Sequence, residues 1–139
     1  MSRRASKFSK RRDELLPVLD NDVLRFLRGA IGSFWALEQL LVLHRDSMRG
    51  WTVDTMAHEL RGSSTICNGV FVRFAKAGLV EEANGEFFYH PHTKELAEIV
   101  NRLATSYATY PVAVARAIQT ALDQELQSFA NAFRLDKKE

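Results

Sequence analysis

A chain of 139 residues with 46% hydrophobic content is long enough to bury one real core and too short for several domains. No apolar run approaches a membrane span and no apolar signal core follows the basic first residues, so neither a membrane nor a secreted protein is expected. The single cysteine, Cys67, excludes an internal disulfide and suits a reducing compartment, so a cytoplasmic location is expected.

Charge is unevenly spread. Residues 1–12 hold Arg3, Arg4, Lys7, Lys10, Arg11 and Arg12 and no acid; subtracting this +6 from the net +2 leaves −4 on residues 13–139. Such a basic arm reads in two ways. It can lie along a DNA backbone or in a minor groove, or it can be a solubilising terminus. From Asp13 to Leu27 the apolar positions Leu15, Leu16, Val18, Leu19, Val23, Leu24, Phe26 and Leu27 predict helix, placed at 13–28. Pro17 fits a first turn or a break, and Asp20-Asn21-Asp22 can interrupt the pattern and cap a second piece near Val23. Gly29 and Gly32 mark the next boundary, and Ser33 can cap a helix from Phe34 to His44. Apolar residues occupy nearly the whole circumference of that helix, which predicts burial on more than one side, with Glu38 the exception.

The stretch Trp51–His92 carries the densest local signals. Thr52 can cap a helix to about Leu60, Arg61-Gly62-Ser63 turns the chain, and Ser63 can cap a second helix over 64–77. Gly78 ends that helix, and Leu79-Val80 begin a strand. Asn84-Gly85 fits a turn with positive φ at both central positions, and Phe87-Phe88-Tyr89 form the return strand, which His90-Pro91 ends. Helical spacing sends Ile66, Cys67, Phe71 and Phe74 to the core and Ser64, Thr65, Asn68, Gly69, Val72, Arg73 and Lys76 outward.

Two short helices closed by a hairpin, with the helix ending Phe71-Val72-Arg73-Phe74-Ala75-Lys76-Ala77-Gly78-Leu79-Val80, resemble the winged helix-turn-helix regulators of the MarR-like and related bacterial classes. The resemblance covers the middle third of the chain and is more specific to the fold than to one family. It implies a mainly α fold with a small β-hairpin, in which a winged helix-turn-helix (51–92) sits between flanking N- and C-terminal helices. The 64–77 helix would then be the recognition helix and 79–90 the wing. Where many members place Arg or Gln for base reading this chain has Gly69, which costs ~1 kcal/mol relative to alanine in a helix. Close approach of another backbone explains it, and so does loss of DNA reading.

Downstream, Leu96, Ile99, Val100, Leu103, Tyr107 and Tyr110 follow helical spacing from about Thr93. Pro111 then fits the start of a last helix with Thr109 as a candidate cap. Its stripe of Val114 or Ala115, Ile118, Leu122, Leu126, Phe129 and Phe133 is too long for one small module to cover. A homodimer joined through helices 13–28 and 93–134 would bury it, as the resemblance also implies; a monomer with its terminal helices folded back is the alternative.

No catalytic, metal or cofactor constellation is present, and no enzyme is expected. His44, His58, His90 and His92 are scattered, Glu81, Glu82 and Glu86 read as solvated hairpin residues, and no phosphate loop or nucleophile elbow occurs. Trp35, Tyr107 and Tyr110 can line a small-molecule pocket, though core is their commoner use. The expected function is a dimeric, sequence-specific, double-stranded-DNA-binding transcriptional regulator. Its DNA contacts would come from Arg3, Arg4, Arg11, Arg12, Ser63, Ser64, Thr65, Asn68, Gly69, Arg73, Lys76 and Asn84. Because Arg61, Arg73 and Lys76 face Asp54, Glu59, Glu81, Glu82 and Glu86 within the module, a second expectation stands beside it: a winged-helix module that binds a protein through the same helix face.

Overall fold

The computed structural model describes residues 19–138; the basic arm and residues 13–18 lie outside them, as does the side chain of Phe133. The first helix, α1 (Asn21–Phe26), starts at Asp20, whose carboxylate accepts the Val23 N–H at 2.9 Å. It starts two residues before the expected point. At Leu27 the chain widens into a π turn (Leu27–Ile31) that ends at Gly32 in the left-handed conformation, φ +74°. Gly29, expected as a boundary, lies inside this turn. Past Gly32 the axis changes direction by 105° into α2 (Phe34–Arg45), capped by Ser33 as the sequence suggests.

Helix α2 runs through the middle of the fold, but it is not apolar-buried all round. Ala36, Leu37, Leu40, Val42 and Leu43 are buried, whereas Phe34 and Trp35 are exposed, Trp35 at 47%. The buried set also includes Gln39, which donates from Nε2 to the Cys67 carbonyl at 3.1 Å. That bond satisfies an amide that would otherwise be costly to bury.

Thr52 caps α3 (Val53–Leu60) in a reciprocal box with Thr55. The chain then reverses at Arg61, itself left-handed at φ 53°, and Ser63 caps α4 (Ser64–Lys76). Strands β1 (Val80–Ala83) and β2 (Glu86–Tyr89) pair antiparallel with Val80 opposite Tyr89 and Ala83 opposite Glu86. Asn84 (φ 55°) and Gly85 (φ 82°) make the turn between them with the expected positive φ values. Trp51 bridges to Phe87 through two backbone bonds of 2.9 and 2.7 Å, so the segment before α3 is pinned to the hairpin.

Thr93 caps α5 (Lys94–Thr109), and Pro111 opens the long α6 (Pro111–Lys138). Thr109 is not a cap: its hydroxyl donates to the Thr105 carbonyl within α5, and Tyr110 makes the junction. α5 packs on α1 and α6 packs on the π turn, so both flanking helices rest on the N-terminal side of the core. Asp20 also pairs with Arg102 of α5. The fold is therefore mainly helical with one small hairpin. Among the described residues no single helix is long and apolar enough to cross a membrane.

Phe71 joins the two halves of the α3–β2 region. It is fully buried and stacks on Phe87 with ring centroids 4.1 Å apart and planes 3° from parallel. Phe71→Ala should lower the unfolding free energy by ~3–5 kcal/mol in urea titration, while Val72→Ala on the outer face stays within ~0.5 kcal/mol. A Phe71 effect as small as that of Val72 would show that the stack does not hold α4 in place.

Candidate nucleic-acid interface

Helix α4 has one face fixed in the core and one face bare. Cys67, Val70, Phe71 and Phe74 are buried. Ile66 is not among them: at 45% exposure it joins the outer face, and Val70 takes the core position expected of it. The stripe at 67, 70, 71 and 74 turns the Ile66 side chain about 100° from Cys67, and out of the core. Burial raises the Cys67 thiol above its ordinary range, so the sulfur stays neutral.

The outer face carries Ser63, Ser64, Thr65, Asn68, Gly69, Val72 and Lys76, all exposed, with Val72 at 46%. Ser63 is committed to its cap, accepting from the Ile66 N–H at 3.3 Å, and the Ser64 hydroxyl donates to Asp54 at 3.3 Å. That second contact ties the first turn of α4 to the first turn of α3. Thr65, Asn68 and Lys76 have no such partner among the described residues. Among the described residues, apart from its chain neighbours and its own helix backbone, no atom lies within 4 Å of a Cβ built onto Gly69. The described residues therefore give this helix-weakening glycine no packing reason.

Arg73 departs from the sequence expectation. Its Nε donates to the Ala30 carbonyl and its Nη2 to the Gly29 carbonyl, each at 3.0 Å. The guanidinium covers Gly32 so closely that a Cβ there would fall 2.6 Å from Nη2. Arg73 thus caps the carbonyls of the π turn with Nε and Nη2 and clamps α4 to it, while the side chain stays exposed. The physical reason is the π turn itself: its last carbonyls have no helical donor, and a charged fork supplies two.

The remaining charges near α4 are sparse. Arg61 and Lys76 are exposed at opposite ends of the helix. Arg45 is committed to Asp46 at 2.9 Å and Glu59 at 3.6 Å, and the guanidinium holds the Asp46 carboxyl below its usual range. The hairpin carries Glu81, Glu82 and Glu86, all exposed, and His90 lies 3.7 Å from Glu81. Asn84 sits at the hairpin tip between these acids. Arg3, Arg4, Arg11 and Arg12 lie outside the described residues. Sequence reasoning placed Arg61 in the turn without counting it as a contact residue, and it missed Trp35 beside that turn. Arg61 turns the chain in a conformation usually left to glycine, and Trp35 lies against the same turn, 3.7 Å from a Cβ built onto Gly62. Among the described residues no three His, Cys, Asp or Glu side chains are placed to hold a metal ion.

Removing the Arg73 clamp should affect stability whatever the outer face binds. Arg73→Ala should cost ~1–2 kcal/mol in chemical denaturation, because two carbonyls are deprived of a charged donor, whereas Lys76→Ala should be neutral within ~0.5 kcal/mol. Equal effects at the two positions would place Arg73 back among the solvated surface cations. Comparison with known proteins found no matching family model, no matching curated protein and no matching solved structure.

Proposed function

We propose that this chain is a winged-helix transcriptional regulator that binds double-stranded DNA as a two-fold dimer, with α4 as the recognition helix. One observation carries the reading. The outer face of α4 is a stripe of short side chains, Thr65, Asn68, Gly69 and Val72, on a helix whose other face is locked. A rigid helix bearing small hydrogen-bonding and methyl-bearing side chains fits a major groove: Asn reads adenine, hydroxyls accept or donate to base edges, and methyls meet thymine. Gly69, open to solvent at the middle of the stripe, allows the closest approach there.

Electrostatics narrow the contact. With Arg73 held by the π turn, the phosphate-facing cations of the described body near α4 are Arg61 and Lys76, and the arm supplies the rest. The acidic hairpin stays off the backbone in this reading, because like charges at close range repel. A second reading is favoured by Ile66 and Val72, two exposed aliphatic side chains on the same face. They suit a protein partner, as does the acidic hairpin beside them.

Selection from random double-stranded DNA at near-physiological salt separates the two. Under the regulator reading one motif is enriched, Asn68→Ala relaxes preference at a single base step by ~1–3 kcal/mol, and Lys76→Ala weakens all sequences alike. Deleting residues 2–12 should flatten the salt dependence by ~0.9 in log–log slope for each phosphate the arm no longer neutralises. If the dimer enriches no sequence, the regulator reading fails. Val72→Asp then becomes the decisive change, since a charge forced into an apolar contact abolishes partner binding.

A further inference from the structure

Trp35 is a large aromatic side chain without a place in the core. It stands in the first turn of α2, half exposed, with its Cζ3 edge 3.7 Å from a Cβ built onto Gly62. Cζ3 lies across the indole from Nε1, so the edge that meets the turn is hydrocarbon and the N–H is on the other side of the ring. That N–H forms no hydrogen bond among the described residues. Phe34 beside it is engaged, edge-on to Tyr107 with ring centroids 6.4 Å apart. Trp51, the other tryptophan of the chain, is fully buried.

The turn that Trp35 leans on leads directly into α4. Arg61 is exposed in that turn, Ser63 is used as the cap and Ser64 is tied to Asp54. Trp35 and Arg61 therefore flank the end of α4 from which Thr65, Asn68 and Gly69 follow. A helix with its side chains is about 10–12 Å across and the major groove about 12 Å wide, so a helix lying in the groove fills it. Whatever stands beside the leading end of that helix then abuts sugar and phosphate. Helix-turn-helix docking has this form: N-terminal residues of the second helix reach base edges, and the element next to them crosses the backbone.

We infer that Trp35 is a backbone anchor for double-stranded DNA. Its ring packs on a deoxyribose and its Nε1–H donates to a phosphate at the edge of the site that Thr65 and Asn68 read, with Arg61 supplying charge to the same strand. An indole suits this role because it joins a broad apolar face to one fixed donor. The acids nearby set the limits of the contact. Asp54 accepts from Ser64 and Glu59 is paired with Arg45. Glu38, a turn further along α2, would repel a phosphate beside it and so confines the strand to the first turn. A single ring next to a turn that carries a cation fits a sugar–phosphate wall better than a protein surface, which calls for a contiguous apolar patch. The anchor rests on the regulator reading, yet it carries no sequence information and is testable on DNA of any sequence.

Fluorescence isolates the residue, since Trp35 is exposed and Trp51 is not. Acrylamide should quench the Trp35 emission of the free full-length chain, and saturating random-sequence duplex should abolish most of that quenching. Trp35→Phe keeps a ring against Gly62 and removes the donor, and its urea unfolding should match that of the wild type. It should raise the dissociation constant about tenfold on random duplex and on any enriched motif alike, as loss of one hydrogen bond to a charged group would. The slope of log K against log salt should not change, because a neutral donor displaces no counterion, whereas Arg61→Ala should reduce it by ~0.9. Duplex binding that leaves Trp35 open to quencher, or that is unweakened in Trp35→Phe, overturns the anchor and leaves the regulator reading standing. A loss confined to one motif would make Trp35 a base reader and overturn the backbone assignment. A wild-type chain that binds no duplex overturns both, and turns Trp35 and the exposed Ile66 into candidates for a protein contact.

Discussion

The Phe71–Phe87 stack is the contact on which the arrangement of α4 depends. Phe71 is the buried centre of α4, and Phe87 is the buried residue of β2, which also exchanges two backbone bonds with Trp51 just ahead of α3. One ring pair therefore fixes the helix, the hairpin and the entry to the preceding helix against each other. Nearby polar groups yield to this packing. Among the described residues the buried Trp51 indole N–H and Tyr89 hydroxyl have no hydrogen-bond partner, and burial pushes the Tyr89 phenol up to about 12. An unsatisfied buried donor costs ~1–3 kcal/mol, so tight aromatic packing here outweighs polar satisfaction. Arg49, whose guanidinium lies 3.7 Å over the Trp51 ring, recovers part of that cost through a cation–π contact.

A second constraint joins the flanking helices to α4. The π turn at 27–31 leaves carbonyls that helical geometry cannot satisfy, and Arg73 reaches across 43 residues of sequence to bond them. Gly32 is what permits it, because both its left-handed backbone and the guanidinium above it exclude a side chain. Since α6 packs on the same π turn, the element proposed to join two chains and the element proposed to meet DNA touch a common piece of backbone. The spacing between two recognition helices would then be set by a short rigid path and not by a linker.

What was legible in the sequence was local. The caps at Asp20, Ser33, Thr52 and Ser63 each accept from a backbone N–H three residues on, so residue type and position suffice to find them. The Asn84-Gly85 turn was legible for the same reason. What was missed depends on partners far away in sequence. The sequence gives Gln39 no role until the Cys67 carbonyl is placed opposite it, and Arg73 reads as a free cation until the π turn is known. Ile66 was misplaced because hydrophobicity was given more weight than phase. The buried stripe is set by Phe71 and Phe74, and its phase admits the smaller Cys67 and Val70.

The charge pattern bears on what kind of recognition this surface can perform. A helix that approached DNA with many free cations would bind strongly and nonselectively, since phosphate contacts carry affinity but no sequence information. Here the best-placed arginine on α4, though exposed, gives two of its donors to the π-turn carbonyls, and the neighbouring hairpin is acidic. A single copy would bind weakly under the regulator reading. Discrimination would rest on a few hydrogen-bonding and methyl contacts, and useful affinity would need two copies held at a fixed spacing together with the basic arm. The same economy holds for a protein partner, where exposed Ile66 and Val72 offer a small apolar contact that two-fold repetition doubles. On either reading, a face as neutral as that of α4 would gain from a second copy beside it.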